Sequence, residues 1–466
     1  MSEEKAFSRP CDLSVAEIAA RFREGSLTPS ALMESLLEQV RRLEPYVKAW
    51  ATLDEERALD AARQAESELS QAGARSPLHG VPVGVKDILY TAGVRTGMGS
   101  PLYADFVPHY DATAVARLKR CGAIIVGKTV TTQFASLQPP ETRNPWGLEH
   151  TPGGSSSGSA AAVAAHMCPA ALGTQTGGSV VRPAAFNGIV GLKPTHGLIS
   201  LFGVFPVSWS LDTVGVLTRS VKDAALLLQG LAGHDPYDPE SVNTPIPDYL
   251  EAVHGLHRAP RIGLLREFFL ERASPEVAGK VEAVCEKLAG AGACVEEARL
   301  PVSFHKALEA QAVLQGVESA VAHRETYLKH RESYGQKVRE QIEGGLKASA
   351  TDYASAKLLQ PRFAREVAAS LAPFDVLVAP AVDVTAPRDL GTTGDPLFQR
   401  AWTYAGVPVI ALPAGLSRDG MPIGIQLVGR ALDEGRLLAV AWWCEEALAL
   451  SGRISPPTTS PAPRAP

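Results

Sequence analysis

Two short runs of small residues hold the groups best suited to chemistry in this chain. They are Gly153 to Ser159 (GGSSSGS) and Gly173 to Ser179 (GTQTGGS), separated by an Ala-rich stretch from Ala160 to His166. Consecutive small residues whose N–H groups turn inward form a concavity that suits negative charge. A serine directly after two glycines, as Ser179 follows Gly177 and Gly178, can set its hydroxyl beside those N–H groups. Acyl transfer needs that pairing of a nucleophile with donors aimed where an oxyanion develops. A phosphate loop would show GxxxxGK[ST], or GxGxxG opening a βαβ unit, and neither is present. A flexible linker fits an isolated Gly/Ser run. This run, however, lies between Trp146 and a helical Ala stretch in an apolar section, where unsatisfied backbone is costly.

A serine nucleophile needs a base. None of the 11 histidines sits in a motif that recommends it for a Ser-His-Asp triad. Lys86 is the alternative, with Val81, Val83, Val85, Ile88 and Leu89 around it in sequence. Burial among such neighbours would favour the neutral amine. Taken alone, the segment reads more simply as a surface lysine paired with Asp87.

Rigid elements must hold these groups. Residues 1–75 read as N-terminal helices packing on the core. Ser14-Val15-Ala16-Glu17 is a capping box, Thr28-Pro29 opens a second helix through Leu32, Leu36, Leu37 and Val40, and Glu55 to Gln71 forms a third. From Gly80 the pattern turns to a short β run ending at Lys86-Asp87. A helix over Thr113 to Arg120 and a buried strand over Ala123 to Val126 follow. Helix followed by strand recurs near 281–302, 366–381 and 401–412, which argues for an α/β layered protein with a buried sheet. The core domain is expected over 76–452, with a peripheral helical region at about 303–365 and a disordered Pro-rich tail over 453–466.

Bulk properties exclude several function classes. The chain has 466 residues, 45% hydrophobic and 20% charged, and a net charge of -5 with no basic block. Nothing therefore points to nucleic acid or an anionic membrane surface. No window approaches the roughly 18 apolar residues of a membrane span, and Met1 to Pro10 does not read as a secretory signal. Six scattered cysteines without a CxxC pair fit a reducing compartment, so a cytoplasmic location is expected. His254 and His257 lie three apart with no third ligand nearby, so no metal is expected.

In order and in spacing, Lys86-Asp87, Pro152-Gly153-Gly154-Ser155-Ser156, Gly177-Gly178-Ser179 and Gly191-Leu192-Lys193-Pro194-Thr195 together resemble the amidase signature family. Gly122-Ala123 with Gly127-Lys128, Asn144-Pro145-Trp146, Gly406-Val407-Pro408 and Pro422 to Gly429 extend the resemblance over roughly residues 10–450. It implies a single large α/β domain whose mixed sheet is covered on both sides by helices. It also implies hydrolysis of a carboxylic amide, an ester or a carbamate through an acyl-enzyme. By the same resemblance Ser179 is the nucleophile, Ser155 the bridging serine after a cis Gly154–Ser155 peptide, and Lys86 the terminal base. Backbone N–H groups of Thr176, Gly177, Gly178 and Ser179 would hold the oxyanion. No cofactor or metal is called for. The expected partner is a small-molecule amide substrate, with no nucleic acid and no membrane, and a homodimer is compatible with this reading. The second function implied is that of the A-type subunit of a glutamine-dependent tRNA amidotransferase, which would pass ammonia to a partner.

The chain departs from the family pattern at several places. Gln175 stands where Asp is usual, Gln133 where Glu is usual, Ser157 for Gly, Leu201 for Arg and Thr403 for Asn. The arginine after the nucleophile is displaced: Val181 takes its common position and Arg182 follows. The run 173–183 resembles the malonamidase-like branch, in which the matching arginine grips a substrate carboxylate. A two-pronged guanidinium suits that role. The other reading of Arg182 is a structural pairing with a core acid. The pocket walls are assigned to the 303–365 helices, the 386–404 loop and Ala135.

Overall fold

The computed structural model describes residues 9–256, 258–449 and 456. Its strands are β1 (Trp50–Leu53), β2 (Pro82–Lys86), β3 (Ile124–Thr129), β4 (Ala170–Gln175), β5 (Val190–Lys193) and β6 (Thr213–Thr218). They continue with β7 (Arg261–Leu264), β8 (Cys294–Glu297), β9 (Val376–Pro380), β10 (Val409–Leu416) and β11 (Pro422–Val428). All join one 11-stranded sheet in the order β1-β3-β2-β4-β6-β5-β10-β11-β9-β7-β8. The sheet is mixed: β2 runs parallel to β3 and β4, whereas β4 and β6 pair antiparallel. Val83, Val85, Leu172, Val214, Val216, Ile410 and Leu412 are fully buried, as strands covered on both faces require. The α/β class and single large sheet agree with the sequence-based expectation.

The N-terminal segment contributes more than helices. Between the helices Pro29–Val47 and Glu55–Ala72 it supplies β1, which pairs antiparallel with β3. Four residues, Trp-Ala-Thr-Leu, are too short for a period-2 pattern to show, so the strand was not legible in the sequence. The Ser14 capping box is present, with the Ser14 and Glu17 side chains each accepting the other's backbone N–H.

The helix Ser157–Ala164 lies entirely inside the protein. No side chain on it is larger than valine, so its backbone can approach the sheet centre closely. At Gly173 on β4 an added Cβ would come within 2.7 Å of Ser156 Oγ and 2.9 Å of Leu217, so only glycine fits there. Residues 304–371 build an outer helical layer of Phe304–His330, Gln336–Lys347 and Ala350–Leu371, which packs against the helix Leu397–Tyr404. The expected tail lies outside the described residues apart from Pro456.

Candidate active site

Because β2 and β4 are parallel neighbours, their carboxyl ends open on the same edge of the sheet. Lys86 is the last residue of β2, and the Thr176–Ser179 loop leaves β4 directly after Gln175. Ser155 lies in the turn before the helix Ser157–Ala164, and the Gly154–Ser155 peptide is cis. The Ser156 hydroxyl ties that turn to β4: Thr174 N–H donates to it at 3.2 Å, and it donates to the Thr174 carbonyl at 3.3 Å.

Lys86 is fully buried. Its Nζ lies 2.7 Å from Ser155 Oγ and 2.8 Å from Thr174 Oγ1, with the Thr174 carbonyl at 3.4 Å. Desolvation pulls the amine's pKa well below its usual value, Asp212 draws it partly back, and Arg182 depresses it further. Burial favours the neutral amine, and a neutral Lys86 at 2.7 Å from Ser155 Oγ is within reach to accept the serine's proton. Ser179 is 8% exposed and its hydroxyl makes no hydrogen bond with a described residue. It is therefore open to a substrate, and catalytic contacts commonly tighten only when one binds.

The backbone N–H groups of Thr176, Gly177, Gly178 and Ser179 likewise donate to no other described residue. Gln175 keeps them free by taking the next two donors: its Oε1 accepts from Val180 N–H at 2.9 Å and Val181 N–H at 3.1 Å. Its Nε2 donates to Thr403 Oγ1 at 3.1 Å, and that hydroxyl donates to the Gly177 carbonyl at 2.8 Å. The two departures Gln175 and Thr403 thus meet each other beneath the Thr176–Ser179 loop. Asp212, fully enclosed, accepts from the Thr176 hydroxyl and from Val207 and Ser208 N–H at 2.8 and 3.0 Å. Burial pushes its carboxyl up to about 6.

Arg182 has a backbone task on both serine loops. Its own N–H donates to the Gly178 carbonyl at 2.9 Å. Its Nη2 donates to the Gly154 carbonyl at 2.6 Å, and to Thr393 Oγ1 at 3.3 Å. These are the carbonyls immediately before Ser179 and Ser155. The side chain is only 2% exposed, and its Nε and Nη1 have no partner. No core acid pairs with it within 4 Å among the described residues. Gln133 faces away from the chemistry. Its Nε2 donates to the Ser333 carbonyl at 2.8 Å and its Oε1 accepts from Gly335 N–H at 2.6 Å, tying the outer helical layer down. A glutamate could not supply the donor half of that clasp.

A cleft of about 490 Å³ opens beside this loop, walled by Gln311, Gln315, Gln341, Thr393, Asp395 and Arg400 among others. Gln311 Nε2 reaches the Thr176 carbonyl at 3.1 Å and Gln315 Oε1 at 2.9 Å. Ala135 is buried, with a left-handed φ of 54°, and its neighbours Ser136 and Leu137 approach the cleft instead. Thr174, Asp212 and Gln311 escaped the sequence reading. Thr174 alone had a usable signal, as a strand residue beside a glycine-rich loop. Among the described residues, no group of three His, Cys, Asp or Glu could hold a metal ion; His257 lies outside them. No helix among them is long and apolar enough to cross a membrane.

A buried lysine against Ser155, with Ser179 beside free backbone donors on the open edge of a mixed sheet, fits a serine hydrolase that acts on amide carbon–nitrogen bonds. The chain belongs to the amidase family, whose model, Amidase, matches residues 31–438. The A-type subunit of the glutamyl-tRNA(Gln) amidotransferase from Geobacter metallireducens is 37% identical, over 94% of this chain and 98% of that protein. The solved peptide amidase from Stenotrophomonas maltophilia is 32% identical with a TM-score of 0.83, over 94% of this chain and 97% of that one. A 6-aminohexanoate cyclic dimer hydrolase complexed with substrate is 26% identical, with a TM-score of 0.85, over 97% and 100%.

These relatives correct one expectation. The sequence reading named a small-molecule amide as the partner and ruled out nucleic acid, whereas the amidotransferase relatives are subunits of an enzyme named for a tRNA. The reasoning failed because net charge and basic patches describe this chain's own surface. A polypeptide whose partner chain holds the tRNA needs no basic face of its own.

Proposed function

We propose that this chain hydrolyses a primary carboxamide through an acyl-enzyme on Ser179, and does so as the amidase subunit of a glutamine-dependent amidotransferase. The contact that carries the chemistry is Lys86 Nζ on Ser155 Oγ at 2.7 Å, in a place where burial favours the neutral amine. Ser179 Oγ bonds to the amide carbon as its proton passes to Ser155, whose own proton passes to Lys86. The carbonyl electron pair becomes an oxyanion held by the Gly177, Gly178 and Ser179 N–H groups, each such donor being worth about 3–4 kcal/mol in comparable sites. The relay returns the proton to the nitrogen, the carbon–nitrogen bond breaks and ammonia leaves. Water then cleaves the ester by the same route. What supports the subunit role is the end-to-end likeness to the A-type subunits of amidotransferases.

The test is ammonia release from glutamine by the chain purified from its own host, with Ser179→Ala as blank. The expected result is recovery with partner polypeptides at fixed stoichiometry and a glutaminase rate that drops when they are removed. A chain recovered alone, with undiminished activity, overturns the subunit role. A free-standing amidase is the second reading. It is favoured by the 173–183 run with Arg182 and Gln175, which resembles the malonamidase-like branch, and by the likeness to the peptide amidase.

A further inference from the structure

Gly177 and Gly178 carry no side chain that could anchor the loop before Ser179, which leaves Thr176 to fix its start. Thr176 is held twice, and both holds lead to the helix Phe304–His330. Its carbonyl accepts Gln311 Nε2 at 3.1 Å. Its hydroxyl donates to Asp212 Oδ1, while Asp212 Oδ2 accepts Val207 N–H at 2.8 Å and Ser208 N–H at 3.0 Å. The Ser208 hydroxyl in turn donates to Glu318 Oε2 at 2.6 Å. Gln311 and Glu318 stand two turns apart on one face of the same helix. Glu318 is fully buried and makes no ion pair with a described residue. Its Oε2 also accepts Ser210 N–H at 3.0 Å, and its Oε1 accepts the hydroxyls of Ser210 and Tyr353 at 2.6 and 2.9 Å. Lys357 Nζ donates to Ser210 Oγ at 2.9 Å instead. The acceptor capacity of the carboxylate is thus spent on one tyrosine and on the turn that presents Asp212. Burying such a group is costly, and an apolar side chain would join the two layers as well. What the carboxylate adds is a fixed place for the 208–212 backbone.

We propose that Glu318 is a positioning residue for the Thr176–Ser179 loop, acting through Ser208, Asp212 and Thr176 without touching the substrate. This rests on the reading that the N–H groups of that loop hold an oxyanion formed on Ser179. Donors of this kind work only when they are fixed in advance. A shift of the outer helical layer then moves the donors as well as the cleft wall.

Glu318→Leu removes every acceptor at similar volume. Glu318→Gln keeps a carbonyl oxygen for Ser208 and for Ser210 N–H, and turns its NH2 toward two hydroxyls that can accept. Ammonia release from glutamine and from pentanamide gives kcat and KM. In Glu318→Leu, kcat is expected to fall about tenfold or more with KM nearly unchanged, whereas Glu318→Gln stays within about threefold of wild type. Ser208→Ala cuts the same chain by one oxygen, should lower kcat in the same sense, and keeps the test decisive if Glu318→Leu does not fold. In a Thr176→Val background the tether is already lost, so either substitution should cost no further kcat. A purely structural role gives the opposite pattern: a lower melting temperature, an unchanged kcat in the folded enzyme, and additive losses. Backbone deuterium exchange over residues 173–183 reads the loop without turnover. It should quicken about fivefold or more in Glu318→Leu, Ser208→Ala and Thr176→Val, and not in Glu318→Gln. Unchanged kcat, additive losses, equal losses in the leucine and glutamine variants, or unchanged exchange overturns the role of Glu318. No ammonia from either amide defeats the hydrolase reading instead, and the exchange measurement still decides on Glu318.

Discussion

Replacing Lys86 by methionine removes the base while keeping the volume. The amine is fully buried and touches Ser155 Oγ at 2.7 Å and Thr174 Oγ1 at 2.8 Å. A positioned general base contributes about 10²- to 10⁴-fold, which is roughly 3–5 kcal/mol of barrier. Because Lys86 and Ser155 act as one relay, Ser155→Ala and the double variant should lose about as much as Lys86→Met alone. Stability should change little by comparison. Two hydroxyls lose a partner, at about 1–3 kcal/mol each, but the desolvation of a buried amine is removed at the same time. The assay is ammonia release from an amide the wild type turns over, across pH, with melting temperature in parallel. In the proposed relay Lys86 acts as the neutral amine, and burial depresses its pKa. Wild-type kcat/KM should therefore rise with pH through that depressed value and then level off, while the variant stays near the blank. Lys86→Met retaining more than a tenth of wild-type kcat would refute the relay, as would wild-type activity that does not fall toward acid.

Three further outcomes follow from the same geometry. Arg182→Met releases the Gly154 carbonyl before Ser155 but keeps the backbone bond to Gly178, so kcat should drop on the order of 10²-fold for neutral and acidic amides alike; a loss confined to acidic amides would hand the substrate carboxylate to Arg182. Thr403→Val strands the Gly177 carbonyl and Gln175 Nε2, and chemical denaturation should show a loss of about 1–3 kcal/mol together with reduced kcat; full stability with full activity would contradict that. Glu445 is buried where its oxygens accept Val221 N–H, and burial pushes its pKa up to about 8. A carboxyl raised in the fold stabilises below the ordinary value of about 4.3 and loses that contribution as pH rises through 8. Glu445→Gln should flatten the fall in melting temperature between those limits, and an unaltered slope would count against it.

What the sequence disclosed was local. Lys86 among valines, and serines after paired glycines, were visible because the chemistry sits in short contiguous runs, and the α/β alternation was visible because it repeats. The partners that complete the site were not. Asp212 reaches Thr176 across 36 residues, and Gln175 meets Thr403 across 228, separations at which one chain offers no periodicity to read. Gln175 and Thr403 accordingly looked like two unrelated departures. Gln133 looked like a lost charge in the site, whereas it clasps the backbone of the outer layer.

The Gln175–Thr403–Gly177 chain also constrains how such a site can change over generations. With the pair this family usually carries, Asp and Asn, the two N–H hydrogens of asparagine can serve the acid and the Gly177 carbonyl together. Here glutamine supplies one hydrogen and threonine passes on its own, so the count again closes. The intermediates differ. Gln with Asn still satisfies every group, but Asp with Thr leaves one hydroxyl hydrogen for two acceptors. Of the two routes from Asp–Asn to Gln–Thr, only the one that alters position 175 first avoids an unsatisfied buried acceptor. The order of substitution is thus written into hydrogen counting beneath a catalytic loop, and a laboratory lineage that reverses it should stall at the Asp–Thr intermediate.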